Sequence, residues 1–145
     1  MKTLMTRSWQ VCRERVTDPS LQGLWRMARD GARQAQICFV RILREFDGDP
    51  VGIEFRHNTN VDRWAFVVED ASEGGYRVQF FDSHGLTAHS HFSNLIEAVD
   101  AMVEYGYWKQ DAGALDKATQ TSRWAEGMAW LERVQQMSTM ESTCS

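Results

Sequence analysis

Cysteine, proline and long apolar runs are all scarce in this chain, and each scarcity removes a class of protein. The three cysteines, Cys12, Cys38 and Cys144, are odd in number, far apart and in no CxxC pair, which argues against a disulfide framework and a structural zinc site alike. They read as reduced thiols in a cytoplasmic protein. Two prolines in 145 residues leave little room for linkers or disordered tracts. The longest wholly apolar stretches, such as Trp64 to Val68, are far too short to span a bilayer. Met1 to Val16 lacks the apolar centre of a secretory signal. No GxSxG elbow, Walker A loop, GxGxxG or HExxH occurs, so nothing marks a nucleophilic, nucleotide-binding or zinc-protease enzyme. An enzymatic role is open and unsupported.

What remains is an average soluble composition in a length suited to one domain, expected over residues 1–137 with a frayed tail at 138–145. The net charge of −4 conceals a polarised chain: residues 1–46 hold nine bases against four acids (+5), and the rest hold seven against sixteen (−9).

The positive pole has an internal order. On a helical projection at about 100° per residue, Arg26, Arg29, Arg33, Arg41 and Arg44 fall within about 120° of one another. Leu21, Leu24, Trp25, Ala28, Ala32, Ala35, Phe39, Ile42, Leu43 and Phe46 gather on the other side. Period two fits neither set, so one long helix is predicted from Asp18-Pro19, a cap followed by a first-turn proline, to the stop at Asp47-Gly48. Gly31 is the point where it would kink. From Arg26 to Arg44 the stripe would run about 27 Å. Arginine, with no lysine, suits bidentate pairing with carboxylate or phosphate. A merely solvated face, an acidic protein partner and nucleic-acid phosphate all fit it, phosphate least.

Around this helix the expected fold is α+β. A short amphipathic helix precedes it within 1–16, carried by Met5, Trp9, Cys12 and Val16. Alternation in Val51, Ile53 and Phe55, in Trp64, Phe66 and Val68, and in Tyr76, Val78 and Phe80 predicts an antiparallel meander of three or four strands, the last at Leu86 to His91. Helices return from Ser93 or Asn94 to Gly106, and from Thr121 or Ser122 to about Met137; Ala112 to Ala118 is left open. On the first of these, Glu97, Asp100 and Glu104 form an acidic face that a second copy's arginines would suit. On the last, Trp124 and Trp130 spread over an arc wide enough to serve either core or partner.

Asp82, His84, His89 and His91 crowd one decade of sequence. His89 and His91 share a strand face, and a turn carrying Asp82 and His84 folding toward them would give a divalent-metal site and, with it, a metal-dependent hydrolase. The alternative is a polar hairpin ending in exposed histidines. This is the chain's one candidate cofactor.

The segment Tyr76 to Tyr107, YRVQFFDSHGLTAHSHFSNLIEAVDAMVEYGY, resembles small accessory proteins of bacterial plasmids and phages, in which a strand ends in an acidic turn and leads through a second strand to a helix closed by Gly-aromatic. The resemblance implies a compact, non-enzymatic protein that acts by binding a host complex, with anti-CRISPR inhibitors as one such class. The complex is expected to be one that handles nucleic acid and to be inhibited or bridged by this chain. The resemblance transfers no functional residues. With the arginine stripe it yields the leading expectation, an interaction protein that acts through Arg26, Arg29, Arg33, Arg41 and Arg44, with a homodimer and direct nucleic-acid binding as further readings.

Overall fold

The computed structural model describes residues 4–12 and 18–143. It is an α+β fold: α1 (Arg7–Cys12), α2 (Gln22–Glu45), β1 (Phe55–His57), β2 (Trp64–Glu69), β3 (Tyr76–Asp82), β4 (Gly85–Phe92), α3 (Leu95–Glu104), β5 (Tyr107–Gln110), α4 (Ala114–Thr119) and α5 (Ser122–Thr143). The strands form one antiparallel sheet in the order β4-β3-β2-β1-β5. No helix is long and apolar enough to cross a membrane, among the described residues.

The period-two pattern of β2 and β3 carries apolar residues on both faces. Ala65 and Val67 lie opposite Phe80 and Val78 and turn toward α3, whose Ala98, Val99, Met102 and Val103 are fully buried. Phe39, Ile42 and Leu43 of α2 close this core from the side, with Phe55 and Tyr107 from β1 and β5. On the other face Trp64 stacks on Phe81 at 5.4 Å, and Trp124 of α5 meets Phe81 edge-on at 6.2 Å.

Several boundaries differ from expectation for local reasons. The first strand begins at Phe55 rather than Val51: Gly52 takes φ 81° and gives its N–H to Val67 O at 2.8 Å, so residues 50–53 turn before pairing begins. β5 has no counterpart in the predicted meander. It runs four residues directly after Gly106, whose φ of 96° ends α3 and reverses the chain onto the free edge of β1; so short a segment shows no readable alternation. Asp18 accepts from Ser20 N at 3.0 Å and Ser20 Oγ at 2.8 Å. It therefore builds a turn ahead of α2, which starts at Gln22 without a side-chain cap.

α2 is continuous through Gly31 and stops where expected: Asp47 and Gly48 adopt φ 51° and 82°, and Gly48 N donates to Leu43 O at 2.7 Å. The expected cap Asn94 accepts from Glu97 N at 2.9 Å. α5 continues six residues past Met137, so residues 138–143 are helical where a frayed tail is expected. Of the predicted 1–16 helix, residues 1–3 and 13–16 lie outside the described residues and 4–6 are not helical.

Candidate interaction helix

The apolar side of α2 runs the whole length of the helix, but only its second half is buried. Ala32, Ala35, Cys38, Phe39, Ile42 and Leu43 pack into the core. Leu21, Leu24 and Ala28 continue the same side toward the N-terminus and lie exposed; Leu24 is 67% and the neighbouring Met27 73% accessible. Leu24 and Ala28 thus share a side with buried Ala32 and Ala35 yet stay exposed, and nothing lies within 4 Å of a Cβ placed at Gly31. Only Trp25 is half-covered. The Arg29 guanidinium lies 5.2 Å from its ring centroid, a cation–π contact, and Trp25 Nε1 is buried without a hydrogen-bond partner among the described residues.

All five predicted arginines are exposed, and none pairs with a carboxylate among the described residues. The structure divides them. Arg41 and Arg44 overlie the packed half of α2, where Arg41 Nη2 approaches Cys38 Sγ at 3.7 Å. Arg26, Arg29 and Arg33 stand on or beside the unpacked half.

The acidic face of α3 has an internal use. The backbone N–H of Arg7 donates to Asp100 Oδ2 at 2.9 Å and that of Ser8 to Glu104 Oε1 at 2.6 Å, so two α3 carboxylates satisfy the free amides at the start of α1. Gln36 completes the attachment, accepting from Thr6 N at 2.7 Å and donating to Leu4 O at 2.8 Å. Glu97 stays exposed. Two of the three acids expected to meet a second copy thus hold the chain's own N-terminal segment.

Burial pushes the Asp100 carboxyl up to about 6, and the nearby Glu104 charge adds to this against the opposing Arg7 amide. The folded value lies above the ordinary 3.8, so the folded state holds an extra proton between the two. Stability from this group is therefore full at acid pH and is lost as pH rises through about 6. Asp100→Asn keeps an acceptor for Arg7 N and supplies an N–H toward Glu104, as the protonated acid does. Discounted for solvent screening, the variant should be more stable at neutral pH by on the order of 1 kcal/mol, a few degrees in Tm. Below pH 3.8 its melt should match the wild type. Equal melts at both pH values would refute the assignment.

The histidine cluster does not assemble as predicted. His84 sits in the β3–β4 turn, 3.9 Å from Asp82, whereas His91 lies near the far end of β4, on the order of 20 Å away along a strand. His89 and His91 do share a face, opposite Gln79 and Arg77. His91 instead joins Asp70 and Glu73 of the β2–β3 turn, one ligand atom from each lying within 4.8 Å of the others. Its Nε2 is 2.5 Å from Gly74 O, and Asp70 Oδ1 accepts from Ser72 N, Ser72 Oγ and Glu73 N. Only the position of Asp70 and Glu73 in a turn ahead of an antiparallel partner strand could have signalled this grouping. Of the predicted aromatic pair, Trp124 packs on Phe81 and Trp130 is exposed in a line with Val134 and Met137.

The fold and its surface define an α+β protein with an unpacked arginine-bearing helix end. No family model matches the chain, and neither the curated proteins nor the solved structures contain a significant match.

Proposed function

We propose that the protein works by docking another protein on the free half of α2. Leu21, Leu24 and Met27 enter an apolar groove of the partner, and Arg26, Arg29 and Arg33 meet carboxylates at its rim. One observation carries this reading: the apolar side of α2 that is core below Ala32 continues exposed for more than two further turns. A solvated helix end needs only its polar side to stay in water; exposing Leu21, Leu24 and Met27 together makes an anchor set at helical spacing. The resemblance of residues 76–107 implies a host complex as that partner; on this reading it is one that handles nucleic acid, blocked or bridged by this chain without catalysis.

Photo-crosslinking tests the reading. A benzophenone side chain placed at Met27 should capture a partner in the native host, and one placed at Glu69 on the sheet should not. Arg29→Glu with Arg33→Glu, and separately Leu24→Asp, should weaken capture by about 30-fold, the loss expected for an anchor of roughly 2 kcal/mol, with unchanged melts. Adducts that survive both variants would sink the proposal. An adduct of two copies would make the interaction a homodimer. Capture of nucleic acid, falling with salt at a slope of about −4.5 for five phosphate contacts, would replace the protein partner.

A further inference from the structure

A second surface, distant in sequence from α2, has the features of a small-molecule site. Where α3 ends at Glu104, the sheet face it covers is left open as a trough of about 470 Å³ bordered by His57, Arg63, Phe80, Asp82, Tyr105 and Tyr107, a volume in the range of ligand pockets. Its apolar part is aromatic: Phe80 lies 5.3 Å from Tyr107 and 6.1 Å from Tyr105, both at steep angles. Tyr105 is 58% accessible and forms an open wall.

The polar part is charge-balanced. The register Trp64↔Phe81, carried one position outward, sets Arg63 opposite Asp82, on the same face as Ala65 and Phe80. Opposite charges at such positions are close enough to pair, yet they form no ion pair. Burial pushes the Tyr107 hydroxyl up and the Arg63 charge opposes it, while Asp82 Oδ1 accepts from His84 N at 2.7 Å and lies 3.9 Å from His84 Nδ1. A guanidinium and a carboxylate thus border one trough without forming an ion pair with each other. His57 adds a donor: its Nδ1 accepts from Thr59 N at 3.2 Å and Asn60 N at 3.1 Å, which leaves the ring proton on Nε2.

From this juxtaposition we infer that the trough binds a free aromatic α-amino acid. Its carboxylate pairs with Arg63, its ammonium with Asp82, and its ring lies against Phe80 and Tyr107 beneath Tyr105. An α-amino acid carries an ammonium and a carboxylate on one carbon, so a carboxylate and a guanidinium bordering the same trough can each take one of them. A dianion such as a mononucleotide would set its second charge against Asp82. The guanidinium fork suits a carboxylate, and the tilted rings leave an edge-to-face seat for another.

A ¹H–¹⁵N titration of the full chain with L-phenylalanine tests this. Saturable shifts should appear at His57, Arg63, Phe80, Asp82 and 105–107. N-acetyl-L-phenylalanine and phenylethylamine, each lacking one charge, should bind at least tenfold more weakly, and so should L-leucine. Arg63→Ala and Asp82→Asn should each cost at least tenfold, with the spectrum itself reporting that the fold is intact and Arg63→Lys recovering part of the loss. No saturable shift up to millimolar L-phenylalanine would overturn the inference. So would equal binding of either singly charged analogue or of L-leucine.

Discussion

Phe39→Ala is expected to lower the stability of this protein by about 3–5 kcal/mol, whereas Leu24→Ala, on the same side of the same helix, should change it by less than about 0.5 kcal/mol. Phe39 is fully buried and its contacts reach the sheet core, so truncation forfeits both the transfer free energy and the packing around the void. Leu24 is two-thirds exposed and gains nothing from folding that alanine, a better helix former, would lose. Against a typical net stability of about 5–15 kcal/mol, the first loss should bring Tm down by roughly 10–20 °C. Parallel denaturant and thermal melts measure both. If Leu24→Ala costs as much as Phe39→Ala, the helix end is packed rather than free, and α2 docking loses its basis.

That contrast marks the limit of what the sequence makes legible. Periodicity locates α2 and names its apolar side, because side-chain direction repeats with the backbone. It carries no information on how far along that side another element reaches, and so groups exposed Leu24 and Ala28 with buried Ala32 and Ala35. The same limit governs Asp100 and Glu104. Their placement on one face of α3 follows from spacing, but their use as caps for Arg7 N and Ser8 N depends on a partner about 90 residues upstream that no local pattern reveals. β2 and β3 are legible because each alternates over six or more residues; β5, four residues long, is not. The histidine cluster fails for a geometric reason: proximity in sequence inside an extended strand means separation in space, and the residue that meets His91 comes from the neighbouring turn. The trough joins positions 57, 63, 80, 82, 105 and 107, which only sheet register and the reversal at Gly106 bring together.

Gly127→Ala should destabilise the protein by about 1–3 kcal/mol, although helix propensity alone would favour alanine by about 1 kcal/mol. Gly127 lies in α5, where a Cβ would overlap the backbone carbonyl of His84 in the β3–β4 turn; across the same contact Gly85, at φ 140°, faces Met128 Sδ at 2.8 Å from its own built Cβ. Here backbone meets backbone, and a carbonyl in a tight turn cannot rotate aside as a side chain would. The strain is relieved by lifting α5, which separates Trp124 from Phe81 and should red-shift tryptophan emission while the far-ultraviolet helical signal persists. Gly31→Ala is the matched control. It is also a mid-helix glycine, but a Cβ there meets nothing within 4 Å, so the propensity gain should appear as about 0.5–1 kcal/mol of added stability. Opposite signs for the two substitutions would establish α5 as seated on the hairpin through Gly127. Two stabilising substitutions would instead mean that α5 does not rest on His84. The hairpin end that carries Phe81 and Asp82 would then lack its brace, and with it the fixed carboxylate on which amino-acid recognition in the trough depends.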